Sequence, residues 1–192
     1  MITDYNEIID RVLIDEESLQ LKIKQLAKTI NEYYKDKDEL ILVGILKGSV
    51  MFMAELAKHL KIDLKMDFMV VSSYAENTYS SGNVKILKDL DIDVKGKEVL
   101  IVEDIIDTGY TLRKTKENLI HREAKDVKIV TLLDKPERRE VEIRPDWSGF
   151  KIPNEYVVGF GLDYDQLYRN LPYIGILKRS VYEDIEDVKD KK

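Results

Sequence analysis

The chain has 192 residues, 44% of them hydrophobic, enough for one full-sized domain with a substantial core and short for two. Lysine and arginine number 31 against 37 aspartate and glutamate, and the resulting charge of -6 is spread without a basic block, which argues against nucleic acid as the main partner. Cysteine is absent and His59 and His121 are the only histidines, which excludes disulfides, thiol catalysis, Cys-based zinc sites and His-rich metal sites.

The opening stretch MITDYNEIIDRVLIDEE lacks the basic start and long apolar core of a signal peptide, and no apolar run approaches the roughly 18 residues of a membrane span. A cytoplasmic protein with no membrane partner is expected. A first apolar run covers 8–14. Leu19, Ile23, Leu26, Ala27 and Ile30 then recur at helical spacing over Glu16–Tyr34, with Asp15 placed to cap the helix. Leu40–Leu46 is a strongly apolar strand, followed by a helix over 49–60 and a second strand over 64–72. Residues 74–83 are polar and rich in turn formers, and predict a long exposed loop or hairpin, either a surface excursion or a lid over a site. Further runs at 99–102, 127–133 and 156–160, and a helix over Tyr110–His121, complete the alternation. Strands apolar on both faces, alternating with amphipathic helices, predict an α/β fold with a mostly parallel sheet flanked by helices. After Asp134 the sequence becomes irregular, and the last apolar runs, around Val157 and Ile174, predict a small accessory layer before a charged tail, DIEDVKDKK.

The segment VLIVEDIIDTGYTL, residues 99–112, ends its apolar run in Glu103, Asp104 and Asp107. Ligands of open α/β sheets bind beyond the carboxyl ends of strands, where the next helix begins. There the turn Asp107, Thr108, Gly109, Tyr110 and Thr111 offers backbone N–H groups and hydroxyls to a phosphate. Carboxylates beside a phosphate seat make sense if the ligand also carries hydroxyls or a magnesium ion. Composition alone also allows an ordinary acidic helix cap. No GxxxxGK[ST] is present, so a P-loop enzyme is excluded, and GFGLDY is too incomplete for a dinucleotide fingerprint.

The string VEDIIDTG at 102–109, followed by Thr111, resembles the 5-phosphoribosyl 1-diphosphate motif of the type I phosphoribosyltransferases, and more narrowly that of the hypoxanthine-guanine phosphoribosyltransferases. GILKGS at 44–49, LLDKPERR at 132–139 and VVGFGLDYDQLYRNLPYIG at 157–175 match the same family in the same order, so the similarity spans about 8–177. The resemblance implies one domain over 1–192, with a small hood built from the N-terminal strand and the region after about residue 134. It implies transfer of a 5-phosphoribosyl group to N9 of hypoxanthine or guanine, with Mg2+ as cofactor and a homodimer or homotetramer as the assembly.

It also implies roles residue by residue. Glu103 and Asp104 match the carboxylates on the ribose hydroxyls, and with Asp163 they match the metal ligands. Asp107 matches the proposed general base at purine N7, and Thr108, Gly109, Tyr110 and Thr111 match the seat of the 5-phosphate. Lys47, Gly48 and Ser49 match the pyrophosphate loop, where the family typically has a non-proline cis peptide, and Arg169 matches a guanidinium on pyrophosphate. Lys135 matches the donor to the 6-oxo group, Tyr156 the stacking aromatic and Val157 a backbone contact to the purine. Ser73 and Tyr74 match the pair on the family's mobile loop. Tyr156 stands where Phe is frequent, and Tyr110 where many members have Lys. A regulatory protein on the same fold and a sister enzyme preferring xanthine are the alternatives. Asp107 and the negative charge count against the first, and DKPERR with LDYDQLYRN favours 6-oxopurines.

Overall fold

A computed structural model describes residues 4–73 and 84–182. Its centre is β2, Leu40–Leu46, buried along almost its whole length. Parallel partners flank it on both sides: β3, Leu64–Ser73, with Leu40 opposite Leu64, and β5, Glu98–Ile106, with Leu40 opposite Glu98. β6, Asp126–Asp134, and β7, Trp147–Lys151, continue the parallel order beyond β5, and β4, Val84–Lys88, closes the other edge antiparallel to β3. The six-stranded order is therefore β4-β3-β2-β5-β6-β7, mostly parallel as the alternating pattern predicts.

Two apolar layers cover the sheet, and strand alternation assigns residues to them. Leu40, Leu42, Leu100 and Val102 join the layer formed with helices α1, Glu16–Tyr34, and α2, Ser49–Ala57. Ile41, Val43, Val99 and Ile101 join the opposite layer, beneath Leu112 and Leu119 of α3, Tyr110–His121. The Asp15 carboxylate accepts the Ser18 N–H at 2.7 Å and caps α1 as its position predicts. Helix α2 stops at Ala57, short of the expected residue 60, where Asn31 of α1 takes over the backbone: its amide donates to His59 O and accepts from Lys61 N.

A second sheet, of order β1-β9-β8, is antiparallel and joins β1, Ile9–Ile14, with β9, Ile174–Leu177, and β8, Val157–Val158. Strand β8 is shorter than the apolar run at 156–160 because Gly159, Phe160 and Gly161 all take positive φ, at 100°, 47° and 103°, and turn the chain aside. Strand β7 falls within the irregular stretch assigned to the accessory layer, yet it extends the main sheet. Its short, mixed sequence WSGFK carries no clean period, and the exposed edge of β6 recruits it. Tyr74 and the rest of the expected loop lie outside the described residues; Ser73 and Val84 on either side are paired. Among the described residues no helix is long and apolar enough to cross a membrane.

Candidate active site

Three adjacent parallel strands, β2, β5 and β6, deliver their carboxyl ends to one side of the sheet, and the sequence-predicted residues gather there. At the end of β2 the Leu46–Lys47 peptide is cis, as the resemblance implies. Gly48 follows with ordinary helical angles, φ -59° and ψ -41°, so its need for glycine is spatial: a Cβ there would stand 1.7 Å from Asp104 Oδ2. Across the loop, a Cβ on Gly161 would stand 2.0 Å from Gly48 O, so the turn after β8 rests directly on this backbone. Lys47 Nζ donates to Gln166 Oε1 at 2.8 Å. The Ser49 hydroxyl is buried and donates to Ile45 O at 2.7 Å, so it closes its own turn.

Strand β5 runs four residues past the apolar stretch because its pairing with β6 continues to Ile106 opposite Asp134. Glu103 and Asp104 therefore lie at the end of a paired strand, near enough for the charge of one to act on the other. Asp104 is buried against the Gly48 loop. Burial pushes its carboxyl up to about 6, opposed by the Ile105 N–H bond at 2.9 Å and by the Arg169 charge. Burial also raises the Glu103 carboxyl well above the usual range, and the Asp104 charge adds to the rise. Glu103 Oε2 is buried and has no hydrogen-bond partner among the described residues. An orphaned oxygen of this kind is costly unless a ligand donates to it or a cation meets it, which suits ribose hydroxyls or magnesium. Among the described residues no three carboxylates or imidazoles gather into a metal cage, so Glu103, Asp104 and Asp163 do not form a preassembled set.

The turn between β5 and α3 has the form an anion requires. Gly109 takes φ 91° at the cap position of α3, and no side chain caps the helix. Its first N–H groups are thus open to an external acceptor. A Cβ on Gly109 would meet Ile143, Arg139 and Val141 at 2.6 to 3.1 Å, so the turn is packed onto the segment after β6. Thr108 O accepts the Glu140 N–H at 3.0 Å, and Arg139 pairs with Asp134, which pins that segment from below. Thr111 lies in the first turn of α3, where its carbonyl accepts from the Thr115 hydroxyl, and Tyr110 lies beside the Arg113 guanidinium.

Beside the turn opens a cleft of about 530 Å³, walled by Ile105, Asp107, Lys135, Arg138, Tyr156, Val157, Leu162, Asp163 and Tyr182, among others. Asp107 is half-exposed, and its carboxylate accepts from Arg138 Nε at 2.9 Å. Lys135 is buried and donates to Glu155 O at 2.7 Å, which leaves an ammonium with two further donors at the cleft. Burial lowers its pKa below the usual 10.5, partly offset by the Asp107 charge. Tyr156 stays 42% exposed at the cleft wall. Arg169 is held by Asp163 at 2.7 Å and by Gly161 O at 2.7 Å, so it braces the turn that rests on Gly48. Asp163 Oδ2 also accepts the Gln166 N–H at 2.8 Å. Ser73 ends β3 opposite Val84, at the edge of the described residues.

Reasoning from sequence singled out neither Arg138 nor Gly161. The first was visible only as one basic residue within KPERR, and the second only as a glycine in an incomplete fingerprint.

A helix start open to phosphate, a carboxylate-bearing strand end and a cleft with a buried ammonium and an exposed aromatic define a site for a phosphorylated sugar beside a flat polar ring. The chain belongs to the phosphoribosyl transferase domain family, whose model matches residues 13–165. It is 59% identical over 177 residues to a hypoxanthine-guanine phosphoribosyltransferase of Lactococcus lactis subsp. lactis, which covers 92% of this chain and 96% of that one. A hypoxanthine-guanine phosphoribosyltransferase of Bacillus subtilis is 54% identical, over 91% of this chain and 97% of its own. The crystal structure of a hypoxanthine phosphoribosyltransferase from Staphylococcus aureus superposes with a TM-score of 0.90 at 48% identity, covering 95% of this chain and 98% of that one. The resemblance read from the four sequence motifs is thus the family to which the chain belongs.

Proposed function

We propose that this chain transfers the 5-phosphoribosyl group of 5-phosphoribosyl 1-diphosphate to N9 of hypoxanthine or guanine, giving IMP or GMP and pyrophosphate. The observation that carries the reading is the convergence, at one end of the parallel sheet, of the uncapped start of α3 with the cleft holding Asp107, Lys135 and Tyr156. Near-full-length identity above 50% to enzymes bearing that name supports it.

The 5-phosphate sits on the N–H groups and hydroxyls from Thr108 to Thr111, and the ribose hydroxyls donate to the strand-end carboxylates Glu103 and Asp104. Pyrophosphate lies against the loop Lys47, Gly48 and Ser49, with Arg169 bracing the turn on the far side. The purine stacks on Tyr156 and meets the Val157 backbone, and the Lys135 ammonium donates to its 6-oxo group. That donor would be wasted on a 6-amino purine, whose exocyclic group is itself a donor. Asp107, held by Arg138, exchanges a proton with N7 and faces the positive charge that develops on the ribose. Magnesium suits this donor set through Glu103, Asp104 or Asp163 together with substrate oxygens, and when bound it neutralises charge on the diphosphate. Ser73 and Tyr74 match the pair that the family carries on its mobile loop. The working form is a cytoplasmic homodimer or homotetramer.

The test is pyrophosphate release with hypoxanthine, guanine, xanthine, adenine and uracil, each with and without Mg2+. Turnover confined to hypoxanthine and guanine, dependent on Mg2+, is expected. A preference for xanthine would assign the sister enzyme, and no turnover with any base would replace the reading with a regulatory protein on the same fold.

A further inference from the structure

The chain after β9 folds back onto the cleft. A 3-10 turn at Arg179–Val181 follows the strand, and Tyr182 closes it by donating its N–H to Arg179 O at 3.1 Å. The turn is tied down by the Tyr164 hydroxyl, which donates to Val181 O at 3.1 Å. This brings the Tyr182 ring onto the Tyr156 ring, stacked with centroids 5.3 Å apart and planes 26° apart, while Tyr164 stands nearly perpendicular to Tyr156 at 5.4 Å and 85°. Tyr182 itself borders the cleft.

Tyr156 enters β8 with its carbonyl held by the Leu177 N–H at 2.9 Å, but its side chain is 42% exposed. A ring exposed to this degree is free to turn about χ1 unless other groups fix its plane, and stacking on a purine requires a fixed plane. Tyr164 restrains the ring from one direction and Tyr182 supplies the parallel contact. We infer that Tyr182 is a positioning residue for the purine: as the second ring of a two-ring wall, it holds Tyr156 in the plane on which the base stacks. This rests on the proposed purine reading of the cleft. The Tyr182 hydroxyl makes no hydrogen bond among the described residues, so the ring alone carries the effect. Tyr164 contributes through its bond to Val181, which makes the two tyrosines one device.

The experiment compares steady-state constants of wild type, Tyr182→Ala, Tyr182→Phe and Tyr182→Ala combined with Tyr164→Phe, with hypoxanthine and guanine. Tyr182→Ala is expected to raise the base KM roughly three- to tenfold, the scale of one aromatic pair. The diphosphate KM should stay within about twofold, as nothing in the phosphate seat touches Tyr182. Tyr182→Phe should match wild type, and Tyr164→Phe combined with Tyr182→Ala should add little to the single change. An unchanged base KM in Tyr182→Ala overturns the inference. So does a fall in base KM, which would mean that the ring occupies the base's seat, and so does an equal rise in both KM values, which would mean general loosening of the fold. A wild-type chain inactive with every base would overturn the purine reading itself, a result distinct from these.

Discussion

Asp104 Oδ2 occupies the place where a side chain on Gly48 would begin, 1.7 Å from the position of its Cβ. The loop at Gly48 and the acidic strand end are therefore one packed unit, although 56 residues separate them in the chain. Gly48→Ala must displace either the loop or the carboxylate. Because Gly48 already has helical angles, the harm comes from the contact and not from backbone preference. Turnover with the diphosphate should fall roughly 100-fold, the scale of an ångström-sized displacement in a site, and kcat/KM for the diphosphate measures it. Near-normal kcat/KM would show that the two groups separate freely.

Asp107→Asn keeps an oxygen for Arg138 Nε, so the geometry of the pair survives while the proton acceptor is lost. A drop in kcat of about 100- to 10,000-fold is expected, with diphosphate affinity retained in a calorimetric titration. Normal turnover would remove Asp107 as the base.

Arg138→Ala removes the partner of that carboxylate. Both side chains are nearly half exposed, so the pair contributes only about 0–1 kcal/mol to stability and the unfolding midpoint should barely move. Turnover should fall several-fold, since Asp107 is then free to swing out of the cleft. Loss of fold with no specific loss of turnover would make the pair structural.

Lys135 gives a test in pH. In the proposed role its ammonium makes a charge-assisted hydrogen bond to the 6-oxo group, and burial lowers its pKa from 10.5. Raising the pH removes the charge and weakens that bond, so the hypoxanthine KM should climb on the alkaline side, at a lower pH than an exposed lysine would allow. Lys135→Arg should flatten that limb, because a guanidinium stays charged. Lys135→Ala should cut the preference for hypoxanthine over adenine about 10- to 100-fold, the worth of a charge-assisted hydrogen bond. An unchanged preference would rule the role out.

Asp15 provides a control remote from the site. Its bond to Ser18 N–H lowers the carboxyl pKa below 3.8 in the fold. The fold therefore favours the charged form, and the cap's contribution is complete above 3.8 and fades as pH falls through the lowered value. Asp15→Ala should reduce the unfolding midpoint at neutral pH, with the difference from wild type shrinking in acid and turnover unchanged. A difference independent of pH would show that the carboxylate's charge plays no part.

Much of this protein was legible in its sequence because the informative signals are local. Apolar period along Leu40–Leu46 and Glu16–Tyr34, the cap at Asp15 and the contiguous string from Val102 to Thr111 each need only neighbours within a few residues, and the structure carries them as read. Where pairing decides, sequence fell short. Strand β5 outruns its apolar stretch because β6 is there to continue the ladder, and β7 joins the main sheet because an edge is open to it. The contacts of Gly48 with Asp104, Gly161 with Gly48 and Arg138 with Asp107 span 31 to 113 residues, and no local pattern encodes them. Sequence by itself determined which chemistries the chain carries and on which elements. Only the tertiary structure decided which groups meet, because close packing of distant segments fixes distances that periodicity and composition leave free.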